Sequence, residues 1–168
     1  LSGNFAPVTE EVTAFDLEVT GVLPEGLDGR LLRNGPNPHL PVERPESYHW
    51  FTGEGMVHGL RLRDGQAEWY RNRWVRGDGG FTPNTNVIGH AGRTWAIIES
   101  GFLPVELTDE LESVAVNGFD GTVEEGYTAH PKRDPHTGEL HAVSYFWAWD
   151  HLRYTVVGTD GRLRREVR

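Results

Sequence analysis

Short runs in which apolar and polar residues alternate, each closed by a turn dipeptide, recur along most of the chain. Residues 56–63 and 66–76, the second rich in Trp and Tyr, flank Asp64-Gly65, a pair suited to the type I′ turn of a tight β-hairpin. Residues 86–90 and 93–99 flank Ala91-Gly92 in the same manner. A third hairpin is predicted from residues 128–130 and 139–149 around a turn at 134–138, and a fourth from 153–157 and 162–168 around 158–161. One short helix is predicted, over residues 104–113. The fold class that follows is all-β, built of antiparallel hairpins, with a propeller, sandwich or barrel as the candidate architectures. No strict sequence repeat selects among them. The last hairpin stops within a strand, where an open edge would leave backbone groups unpaired. Residues 1–168 are therefore expected to form the N-terminal portion of a single, longer domain.

Composition narrows the chemistry. Sixteen Lys and Arg against 25 Asp and Glu leave a net charge of −9, which argues against a general nucleic-acid surface. The absence of cysteine removes disulfides, thiolate metal sites and a Cys nucleophile, so any metal must be held by His and carboxylates. No apolar run approaches the ~20 residues that span a bilayer, and no signal peptide is visible, so a cytoplasmic location is expected.

Three of the eight histidines fall within residues 125–141. Pro131 restricts His130 to extended backbone, which places an imidazole at a strand end. Taken alone, this leaves open both a metal ligand and a hydrogen-bonded turn histidine. His136 sits in a Pro- and Gly-flanked turn where polar residues are ordinary, and His141 lies on the following strand. His49, His58 and His90 read as packing or hydrogen-bonded residues. Glu99 follows the apolar run Trp95-Ala-Ile-Ile98, which makes a fully solvated carboxylate the less favoured reading.

Five segments, taken together and in order, resemble the carotenoid cleavage oxygenase family, which includes retinoid isomerases and stilbene-cleaving dioxygenases. They are Gly3-Asn-Phe-Ala-Pro-Val-Thr-Glu-Glu11, Gly29-Arg-Leu-Leu-Arg-Asn-Gly-Pro-Asn37, Tyr48-His-Trp-Phe-Thr-Gly-Glu-Gly-Met-Val-His58, Asn84-Thr-Asn-Val-Ile-Gly-His-Ala-Gly-Arg93 and Ala129-His-Pro-Lys-Arg-Asp-Pro-His-Thr-Gly-Glu-Leu140. The resemblance implies the first blades of a seven-bladed β-propeller, the remaining blades lying outside this chain. It also implies a non-haem Fe(II) held by four histidines, and O₂-dependent cleavage of a conjugated double bond in an apolar substrate. His130 matches the first iron ligand, and no other histidine here matches one. Glu99 matches a glutamate that accepts the distal ring N–H of a ligand histidine, one expected beyond Arg168. The resemblance names no acid–base catalytic residue.

Ile98 departs from the stilbene-cleaving relatives, which carry a lysine there that contacts a phenol hydroxyl. Isoleucine donates no hydrogen bond, so the departure favours a carotenoid or apocarotenoid. A stilbenoid-cleaving dioxygenase, a retinoid-type isomerase and a non-catalytic binding fragment stay open, as does peripheral membrane contact. The isolated 168-residue segment is expected to be inactive.

Overall fold

The computed structural model describes residues 1–78 and 82–168. Three four-stranded antiparallel sheets make up the fold, and among the described residues there is no α-helix. The first sheet has the order β1 (Thr13–Ala14), β4 (Gln66–Trp74), β3 (Glu54–Arg63), β2 (Gly29–Asn37). The second is a simple meander of β5 (Asn86–His90), β6 (Arg93–Ile97), β7 (Val105–Leu107) and β8 (Ser113–Val116). The third repeats that meander with β9 (Lys132–Arg133), β10 (Leu140–Ser144), β11 (Arg153–Val157) and β12 (Leu163–Val167).

The expected hairpins form where turn chemistry directs them. Asp64 and Gly65 both adopt positive φ (48° and 72°), as do Ala91 and Gly92 (53° and 72°), the geometry a two-residue type I′ connection needs. The third hairpin is shorter than its sequence pattern. Only residues 132–133 pair with β10, and the chain leaves the ladder after Ser144, where Phe146 accepts the Trp149 amide in a turn.

The helix expected over residues 104–113 does not exist. Its residues form β7, a reversal and the start of β8. Val105 and Leu107 are both buried with half-exposed Glu106 between them, a period of two that a strand satisfies and a helix does not. Thr108 closes the reversal, its amide donating to the Glu112 carbonyl and its hydroxyl accepting from the Glu112 amide, while Leu111 turns inward at φ 69°.

Strand alternation on the middle sheet builds the core. Trp95 and Ile97 point to one side and pack with Phe119, Tyr127, Leu140, Ala142 and Val157 against the third sheet. Ala96, Val105 and Leu107 join Val57, Trp69 and Leu111 against the first. Three sheets thus stack face to face through two apolar layers, each driven by burial at about 25 cal/mol per Å².

At the end of the stack that carries the tight turns, His90 joins two sheets. Its Nε2 lies 2.8 Å from the Gly158 carbonyl and its Nδ1 3.1 Å from the Arg133 guanidinium, so the ring is neutral with the proton on Nε2. Burial holds its pKa below the ordinary imidazole value, opposed by the Gly158 carbonyl and reinforced by Arg133. Burial lowers His58 likewise, with Arg33 adding to it. A depressed histidine contributes nothing above its unfolded pKa of about 6.5, and costs stability as pH falls through that value because the unfolded chain takes the proton first. Urea unfolding should therefore show stability declining from pH 7.5 to 5, with a shallower decline in His90→Gln. An identical pH slope in that variant would refute the assignment.

Candidate functional site

At the opposite end of the stack the loops enclose an open cleft of about 810 Å³. Strand registers bring its residues together. Asn86 opposes Ile97 at the β5–β6 ladder end, so Asn84 and Thr85 emerge beside Ile98 and Glu99. Residue 132 pairs with His141, which sets His130, just before β9, at the end where β10 gives way to Tyr145. Asn37 opposes Glu54, and the 3₁₀ turn Trp50–Thr52 just ahead of it supplies the remaining wall. Phe51, Ile98, Phe102, Phe146 and Trp147 make the lining predominantly apolar and aromatic.

One corner is polar. His130 Nε2 lies 2.8 Å from Glu99 Oε1, with the imidazole side chain 64% exposed to the cleft and the carboxylate 26%. The resemblance assigns Glu99 to a histidine outside this chain; here the carboxylate reaches His130 itself, the segment after β6 meeting the segment before β9 where the second and third sheets pack together. The pair has the form of a carboxylate that fixes an imidazole's tautomer and orientation.

The support beneath this corner is backbone and buried polar side chains. The Tyr127 amide donates to the Phe102 carbonyl (2.8 Å), aligning segment 125–128 with the turn after Glu99, in which Ser100 and Gly101 take φ of 64° and 79°. Arg153, 1% exposed, donates to the Glu125 and Gly126 carbonyls and holds Glu166 at 2.6 Å. A guanidinium tolerates such burial only with acceptors around it. Burial also pushes the Tyr127 hydroxyl above its ordinary pKa, so it stays protonated. Asn86 Nδ2 donates to the Ala129 carbonyl (3.0 Å), and Asn84 Nδ2 to the Phe51 and Gly53 carbonyls (2.9 and 2.7 Å). These asparagines tie the inner strand β5 to both flanking walls.

Of the other histidines, His49 also lines the cleft. His136 occupies the turn, its amide donating to Asp134 Oδ1 (2.7 Å). His141 and His58 each place Nδ1 against a tyrosine hydroxyl, Tyr154 (2.6 Å) and Tyr70 (2.8 Å). Imidazole and carboxylate are suitable donors for Fe(II). Among the described residues, however, no group of three or more His, Cys, Asp or Glu could enclose a cation. The donor chemistry fits iron and the donor number does not: His130 fits as one imidazole of a larger ligand set, and Glu99 as a hydrogen-bond partner that orients an imidazole. Sequence reasoning missed the cleft walls, Thr128 and the asparagine ties. The one available signal was Asn84-Thr-Asn86, two amides flanking a threonine where an inner strand begins.

Comparison with known proteins converges on one family. The model of the retinal pigment epithelial membrane protein family matches residues 5–80 and 77–168. A carotenoid cleavage oxygenase of Mycobacterium tuberculosis is 57% identical over 99% of this chain and 37% of its own length. A carotenoid 9,10(9′,10′)-cleavage dioxygenase of Phaseolus vulgaris is 33% identical over 99% of this chain and 39% of its own. Among solved structures, the lignostilbene dioxygenase of Pseudomonas brassicacearum superposes with a TM-score of 0.84 at 31% identity, covering 96% of this chain and 40% of that one. The chain thus spans well under half the length of these relatives. Matched along nearly its whole extent, it belongs to the family of the retinal pigment epithelial membrane protein and the carotenoid cleavage oxygenases.

Proposed function

We propose that the intact protein containing this chain is an Fe(II)- and O₂-dependent dioxygenase that cleaves a conjugated carbon–carbon double bond of a carotenoid or apocarotenoid. This chain supplies the first blades of its β-propeller. The observation that carries the reading is the aromatic cleft whose polar corner is the His130–Glu99 pair. A polyene is bound by apolar burial and needs few polar partners. His130 would contribute one imidazole to the iron, Glu99 would orient a ligand imidazole, and further ligands would come from outside residues 1–168. Bound there, the iron would activate O₂. The overall reaction balances without another reductant: the double bond and O₂ become two carbonyl groups. Phe51, Phe102 and Trp147 exclude water around the polyene, and no side chain of this chain is required to transfer a proton. A cytoplasmic location belongs to the same proposal.

The likeness to lignostilbene dioxygenase favours a second reading, a stilbenoid substrate. Ile98 opposes it, because it lines the cleft without a hydrogen-bond donor for a phenol. Metal analysis of the intact protein should find stoichiometric iron. Chelation should abolish turnover, and Fe(II) should restore it. Full activity in iron-free protein would refute the reading, and an intact protein unable to retain iron would favour a non-catalytic binding role.

A further inference from the structure

Thr128 touches both members of the polar corner. It is 4% exposed. Its hydroxyl lies 3.4 Å from Glu99 Oε2 and 3.4 Å from the His130 backbone nitrogen, placed to donate to the carboxylate and accept from the amide. The peptide unit entering His130 is held on its other side as well, its carbonyl accepting from Asn86 Nδ2 (3.0 Å). Glu99 Oε1 faces His130 while Oε2 faces Thr128, so the two carboxylate oxygens have different partners. The neighbouring backbone contacts of segment 125–128 deliver this hydroxyl to the corner.

We propose that Thr128 is a positioning residue for the metal centre. It fixes the carboxylate plane of Glu99 and the backbone of His130, and so sets their separation. The inference rests on the metal reading under Proposed function. Outer hydrogen-bond partners of this kind are worth ~10–100-fold in metal affinity.

The test measures Co(II) affinity of the intact, metal-depleted protein from the cobalt absorption bands. Thr128→Val should weaken Co(II) about 10-fold, and Thr128→Ser, which keeps the hydroxyl, should bind within about twofold of the parent. In a Glu99→Gln background, Thr128→Val should add less than about a twofold loss, because the group it acts through is already altered. Where Thr128→Val does not fold, as judged by near-ultraviolet circular dichroism, Thr128→Ala takes its place against Thr128→Ser. Equal Co(II) affinity in Thr128→Val and parent, or an undiminished loss in the Glu99→Gln background, overturns the positioning role while leaving the metal reading intact. A parent protein that binds neither Co(II) nor Fe(II) overturns both.

Discussion

Gly126→Ala is expected to unfold or severely destabilise the protein. A Cβ built on Gly126 overlaps the Cα, carbonyl carbon and carbonyl oxygen of Gly101. Those atoms are backbone and cannot rotate away as a side chain could. Gly101 itself is confined, since φ is 79° and the Phe146 ring lies against it. Relief would require separating segment 125–128 from the turn after Glu99, at the loss of the Tyr127–Phe102 hydrogen bond and of the acceptors around Arg153. Overpacking that forces backbone shifts costs about 1–3 kcal/mol or more, and leaving a buried charge short of acceptors adds to it. We expect a loss above about 3 kcal/mol, a large part of the 5–15 kcal/mol that holds a typical domain together. Urea unfolding measures it, and a loss below about 1 kcal/mol would show that the two segments are not in rigid contact.

His130→Ala should have the opposite profile, with near-normal stability and turnover lost. The imidazole is 64% exposed and belongs to neither apolar core, so truncation opens no cavity. It leaves Glu99 with its other partner, Thr128. If His130 ligates the iron, its removal should lower turnover by at least about 100-fold, the upper end of what even outer hydrogen-bond partners contribute. The thermal midpoint should move by less than about 2 °C, as expected for an exposed side chain. Retained turnover would exclude His130 as a ligand. A large fall in thermal midpoint would mean that its role is structural.

What the sequence disclosed, and what it withheld, follows from the range of each interaction. Asp64-Gly65 and Ala91-Gly92 announce their hairpins because turn geometry is encoded in two adjacent residues. Residues 104–113, which hold β7 and the reversal after it, look helical because a three-residue strand offers too few positions to separate a period of two from one of 3.6. Their identity is decided by pairing with β6 and by burial of Val105, Leu107 and Leu111 against the first sheet. His130 stood out through Pro131 and the family resemblance. Its contact with Glu99 joins residues 31 positions apart through the packing of the second sheet against the third, which no local pattern encodes. Thr128 was invisible for the same reason: a threonine near a histidine is ordinary until the strand beside it delivers a carboxylate.

The central claim is oxidative double-bond cleavage in the aromatic cleft. The most direct test follows oxygen uptake and products together when the intact Fe(II)-loaded protein is supplied with an all-trans apocarotenal. The account requires one O₂ consumed for each polyene cleaved, with two carbonyl fragments whose new oxygen atoms derive from ¹⁸O₂. A single retinoid-like isomer, or polyene consumption without oxygen uptake, would contradict it.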